Sequence, residues 1–156
     1  MIRKENTGKE IVSIHVRRGD YVPSKVRYSD GITTYSPERH LKHPLMPVEY
    51  FQAAASEFKN VIFLVFSDNL KDIDWCKNSL MIKNTIFVHN DDLIDFKMMQ
   101  YCDHNIISNS SFSWWSAWLN SNPGKSVISP KEDNWFGEYY AHYDMSDLIP
   151  KEWKQL

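Results

Sequence analysis

The chain has 156 residues, 42% of them hydrophobic, which suffices for one ordinary domain with its own core. A net charge of −2 offers no broad basic field for nucleic acid, and two cysteines, Cys76 and Cys102, supply neither a disulfide framework nor a zinc spacing. The longest apolar run, residues 61–66, is far too short to cross a bilayer, and Met1-Ile2-Arg3-Lys4 leads into polar residues, not a signal peptide; the expectation is a soluble, cytoplasmic domain with reduced, buried thiols.

Residues 1–10 are polar and read as frayed. The β-branched run Ile11-Val12-Ser13-Ile14 predicts a buried strand over residues 10–16, opening onto His15-Val16-Arg17-Arg18-Gly19-Asp20-Tyr21. Two guanidiniums, a His, a Gly and an Asp at a strand's carboxyl end are poor packing material. That position is where open α/β sheets bind ligands, and an arginine there presents a rigid fork of donors to phosphate. Residues 22–47, with Pro23, Gly31, Pro37, Pro44 and Pro47, show no period and read as a long functional or mobile connector. Pro47 opens a helix to about Phe58, with Val48, Phe51, Gln52 and Ala55 on one face. Residues 61–66 are apolar throughout, as a strand covered on both faces should be, and end at Ser67-Asp68. A helix over 70–79, a strand over 85–88 and a helix from Asp91-Asp92 to about Cys102 follow, the last with Phe96, Met99 and Cys102 on one face. A strand over 105–108, a helix over 111–119 and a strand over 126–129 complete the regular pattern. The tail from Lys131 is aromatic and acidic without a period. Strand and helix alternate with short connections, which predicts an α/β fold: one Rossmann-like domain over residues 1–156, with a doubly wound, mainly parallel sheet.

Three strand ends then present polar groups along one sheet edge: Arg17-Arg18, Ser67-Asp68 and Asn109-Ser110-Ser111. The last leads into a helix through Phe112 and Ser113. Small hydroxyl residues there let a phosphate approach the free helix amides; the plainer alternative is that Ser110 or Ser111 is an N-cap. Neither a dinucleotide glycine fingerprint nor a P-loop is present. Other patterns have ordinary explanations. Arg18-Gly19-Asp20 follows a buried strand, which argues against an adhesion tripeptide. Asp72-Ile73-Asp74 lies in the first turns of a helix, where acids complement the dipole, so a metal site is not the expected reading. His40, His43, His104 and His142 lack zinc spacing. Asn109-Ser110-Ser111 is formally a glycosylation triplet within the candidate phosphate site. Trp114, Trp115 and Trp118 read first as core, with a cleft or interface role as the alternative.

The elements His15 to Tyr21, Phe66-Ser67-Asp68, the block from Met98 to Asn120 and the region 130–135 together resemble the α-1,2-fucosyltransferases of glycosyltransferase family 11. The resemblance implies an inverting, metal-independent transfer of L-fucose from GDP-fucose to a galactose 2-hydroxyl, with no cofactor. It implies that Arg17 binds the donor's β-phosphate, that His15 lies by the nucleotide, that Asp95 reads the guanine, and that Ser111, Phe112 and Ser113 begin the helix that contacts phosphate. Arg18, Asp20, Asp68, Asn109 and Ser110 complete the expected donor-binding set, with Asp20 read as a salt-bridge partner of the arginines. Family members are nearly twice as long and hold the acceptor between two Rossmann-like domains in the GT-B arrangement. The chain resembles the C-terminal, donor-binding half. Its expected partners are GDP-fucose, a galactoside acceptor glycan, and either a companion first domain or further copies of itself, peripheral to the membrane where glycans are assembled. The alternatives are a truncated nucleotide-sugar-binding module without transfer, and a structural remnant that self-associates through a tryptophan-rich face.

Overall fold

The computed structural model describes residues 2–23, 25–27, 33–35 and 41–156, the two short pieces as backbone only. A six-stranded, all-parallel sheet organises them: β1 (Glu10–Val16), β4 (Val61–Ser67), β5 (Thr85–Val88), β6 (His104–Ile106), β7 (Val127–Ser129) and β8 (Lys154–Gln155). Its order is β5-β4-β1-β6-β7-β8. The chain winds outward from β1 on one side, then returns to build β6, β7 and β8 on the other. The Rossmann-like expectation is correct, and the reversal of winding lies between β1 and β6, where such sheets open a crevice.

Alternation along β1 and β4 divides the core. Val12, Ile14, Val16, Val61, Phe63 and Val65 point to one face, where Phe51 and Ala54 of α2 (Val48–Ser56) and Cys76 of α3 (Leu70–Ser79) cover them. Ile11, Ile62, Leu64 and Phe66 point to the other, against Met99 of α4 (Asp92–Gln100), Cys102 and Phe112 of α5 (Ser111–Trp118). This two-sided burial explains why β4 is apolar throughout. The Tyr50 hydroxyl ties α2 to the sheet by donating to the Ile107 carbonyl at 2.7 Å. Across the other face runs a buried amide chain: Asn105 donates to Ser13 Oγ at 2.7 Å, and Asn120 donates to Asn105 Oδ1 at 2.8 Å.

Several expectations need correction. Residues 2–5 form a short helix, α1 (Ile2–Glu5), and Arg3 anchors it to Asp103 at 3.0 Å, so this terminus is tied down. The connector contains an antiparallel ribbon of β2 (Lys25–Arg27) and β3 (Thr33–Tyr35); Gly31, Pro37 and His40 lie outside the described residues. The tail carries a strand that no period announced: β8 lies parallel to β7, with Ile128 opposite Lys154. Of the helix tryptophans only Trp114 packs inward, its Nε1 donating to the Leu148 carbonyl at 2.9 Å. Trp115 and Trp118 are 51% and 47% exposed. Both cysteines are free and buried. No helix among the described residues is long and apolar enough to cross a membrane.

Candidate functional site

The parallel register aligns His15 with Phe66 and Val16 with Ser67, so one residue beyond the ladder Arg17 stands opposite Asp68. Arg17 Nη1 donates to Asp68 Oδ1, and Nη2 donates to Asp20 Oδ1 at 2.6 Å. The same Asp68 accepts the Arg18 backbone amide at 2.8 Å. A single carboxylate thereby fixes both the turn and the first guanidinium. Burial raises the Asp68 carboxyl above its ordinary value, opposed by the Arg18 amide and the Arg17 charge. Gly19 is required here for two reasons. Its φ is +29°, and a Cβ would sit 2.9 Å from Asp68 Cγ.

The second guanidinium points elsewhere. Arg18 Nε donates to Asp72 at 3.1 Å, and its Cζ lies 3.6 Å from the centre of the Trp75 ring. Asp72 also accepts the Gly19 amide at 3.1 Å and the Asn69 side-chain amide at 2.7 Å. Arg18 is therefore a clamp between the turn and α3. Asp72 and Asp74 do not form a pair for a metal: Asp74 binds Lys77 at 2.8 Å. Among the described residues no group of three or more His, Cys, Asp or Glu side chains is placed to hold a metal ion.

A pocket of about 140 Å³ opens beside Arg17, lined by His15, Arg17, Phe66, Ser67, Asp68, Asp92, Asp95 and Phe112. It sits at the carboxyl ends of β1 and β4, flanked by α4 and the first turn of α5. His15 is buried, its ring 5.4 Å from Phe112, and its Nδ1 has no partner among the described residues. Burial, and then the Arg17 charge, lower its pKa to about 3, so the imidazole is neutral. Five of the expected residues meet here: His15, Arg17, Asp68, Asp95 and Phe112. Asp95 is buried, and both its oxygens are engaged by Asn90, from the backbone amide at 3.1 Å and the side-chain amide at 2.8 Å. Asp92, absent from the expected set, lines the pocket with no hydrogen-bond partner among the described residues. Its place in the first turn of a pocket-facing helix was the available signal.

The serine-rich turn divides by role. Ser111 is exposed at the start of α5, and Ser110 precedes it as N-cap without a side-chain cap bond. The amides of the first helical turn have no partner within the helix. Ser113 is buried and turns its hydroxyl onto the Ser110 carbonyl at 3.2 Å. Asn109 is 1% exposed and donates to the carbonyls of Pro44 and Trp135, tying connector and tail to the sheet. Ser108, unremarked in the sequence, donates to the His15 carbonyl at 2.6 Å and accepts the Arg17 amide at 3.0 Å. It ties the end of β1 to the segment that follows β6.

The model of glycosyl transferase family 11 matches residues 2–155. The chain is 33% identical over 153 residues to the O-antigen biosynthesis glycosyltransferase WbnK of Escherichia coli, covering 92% of this chain and 44% of that protein. It is 34% identical over 155 residues to an alpha-1,2-colitosyltransferase of Escherichia coli, covering 93% and 47%. It is 29% identical over 114 residues to galactoside alpha-(1,2)-fucosyltransferase 2 of Pongo pygmaeus, covering 69% and 30%. The chain thus spans about half the length, or less, of these curated relatives. No solved structure matches it.

Proposed function

The chain belongs to glycosyl transferase family 11, and on that premise we propose that it is the donor-binding domain of a galactoside 2-α-L-fucosyltransferase. The donor is GDP-fucose, and the transfer to a galactose 2-hydroxyl inverts the anomeric centre without a metal ion. One observation carries this reading: Arg17, a neutral His15 and Phe112 of the first turn of α5 meet at one pocket beside the winding reversal. As the bond from the anomeric carbon to the phosphate oxygen breaks, charge builds on the departing diphosphate. Arg17 and the α5 amides stabilise that charge. Arg17 has to release a donor direction for this, and its exposed link to Asp20 is the exchangeable one, since such surface pairs hold by only about 0–1 kcal/mol. Asp95 and the neighbouring Asp92 supply acceptors for the guanine's donor edge.

Calorimetric titration with GDP-fucose, with ADP-glucose as control and EDTA present, tests the reading. Selective binding that falls roughly tenfold or more in Arg17→Lys is expected, because lysine lacks the bidentate fork. Absence of binding, or equal affinity in the variant, refutes it. A second reading keeps the nucleotide and changes the sugar to colitose, favoured by the fuller coverage of the colitosyltransferase. Competition between the two GDP-sugars separates them. Binding without turnover on a galactoside leaves the alternative of a binding module without transfer.

A further inference from the structure

A separate hollow of about 520 Å³ lies within the tail, beginning three residues beyond the carboxyl end of β7. Its walls include Phe136, Tyr140 and Tyr143, and its rim includes Asp133, Glu138 and Asp144. Tyr140 and Tyr143 stack at 5.2 Å with only 15° between their planes, and Phe136 meets Tyr140 edge-on at 5.3 Å. Tyr143 is 52% exposed, with His142 tilted against its ring at 4.5 Å. The side chains of Asp133 and Glu138 make no hydrogen bond among the described residues. Asp144 accepts the Ser146 amide at 3.0 Å and the Ser146 side chain as well. The lining contains no lysine or arginine.

These features select a ligand class. A lining with carboxylates and no cation repels phosphate, so this is not a second nucleotide site. Flat aromatic walls with a few polar acceptors suit a neutral molecule that has one apolar face and a rim of hydroxyl donors, which describes a pyranose ring. The hollow is also joined to the donor pocket through three successive ring contacts. Arg17 Cζ lies 5.0 Å from the Tyr21 ring, Tyr21 stacks on His43 at 4.9 Å, and His43 meets Tyr140 at 6.0 Å. We infer that the tail hollow holds a sugar ring of the acceptor glycan, stacked on Tyr143 with its hydroxyls donating to Asp133 and Glu138. This assignment rests on the glycosyl-transfer reading above.

The test is saturation-transfer NMR on the full chain with methyl β-D-galactopyranoside, in parallel with calorimetric binding of GDP-fucose. Tyr143→Ala and Asp133→Asn alter exposed side chains, so the fold is retained, which circular dichroism checks. Both variants are expected to lose the galactoside signal while GDP-fucose affinity stays within about twofold of wild type. Arg17→Lys is expected to do the reverse. An unchanged galactoside signal in both variants, no signal in the wild type, or its displacement by tetramethylammonium would overturn the assignment. Galactoside binding that needs Tyr143, in a chain that fails to bind GDP-fucose, would instead refute the donor reading alone.

Discussion

Asp72, with Asp68, is one of the two carboxylates that hold the arginine turn. In Asp72→Ala the Arg18 guanidinium, 15% exposed, loses its carboxylate, and the Gly19 amide loses its acceptor. Removing one partner of a buried ion pair costs about 3–5 kcal/mol. Residual exposure and the surviving stack on Trp75 at 3.6 Å reduce that to about 2–3 kcal/mol. For a chain of 156 residues this lowers the melting temperature by roughly 4–12 °C. In urea the midpoint is expected to fall with an unchanged slope, since the folded surface is the same. Adding Arg18→Met to Asp72→Ala removes the stranded charge and is expected to restore about half of the loss. A single variant within about 0.5 kcal/mol of wild type, or a double variant no better than the single, refutes the clamp. Donor binding gives an independent reading. Arg18→Met and Asp72→Ala are expected to weaken it similarly and modestly, through a looser turn. A large loss in Arg18→Met alone puts the Arg18 guanidinium on the donor.

Gly19→Ala is expected to destabilise the fold by about 1–3 kcal/mol and to weaken donor binding, because its Cβ meets the Asp68 carboxylate; unchanged urea midpoint and affinity would contradict that. His15 makes stability depend on pH: its folded pKa of about 3 lies below its ordinary value, so between the two the unfolded chain binds a proton that the folded chain refuses. Stability is thus complete above about pH 6.5 and falls toward pH 3, by up to about 1.4 kcal/mol per unit. His15→Gln is expected to flatten the profile between pH 6.5 and 5, and an identical slope in the variant would remove His15 as its source. Asp92→Ala and Asp95→Ala are both expected to reduce the preference for GDP over ADP in calorimetry, with Asp95→Ala also loosening the Asn90 loop. Preference retained in both variants would place base recognition elsewhere.

The sequence discloses what depends on local pattern. Residues 10–16 and 61–66 read as strands because β4 is buried throughout and β1 along nearly its whole length. The register between those strands is not a local property, yet it is what sets Arg17 against Asp68. Nothing in the pair Arg17-Arg18 tells which guanidinium faces the crevice; that depends on Trp75 and Asp72, more than fifty residues away. Asp72 was legible only as an acid in a helix's first turn, which it is, without its second role as acceptor for the turn. Strand β8 escaped because two exposed polar residues carry no period, and their place follows from the tail's packing through Ile149 and Trp153. Trp114, Trp115 and Trp118 read as core from their helical spacing, but Ser113, Ser116 and Ala117 hold the buried face of this eight-residue helix, which leaves Trp114 partly buried and Trp115 and Trp118 exposed.

The two thiols lie on opposite faces of the sheet, Cys76 on the inner side of α3 and Cys102 just past the end of α4. Burial pushes each up to about 12, so neither is a nucleophile at neutral pH while the fold is closed. Each becomes reactive only when its own helical layer lifts. Alkylation read site by site by mass spectrometry therefore reports the opening of the two layers separately, with no label added to the chain. The same quiet background leaves any cysteine introduced at the pocket rim or the tail hollow as the sole rapid target for a thiol-reactive dye.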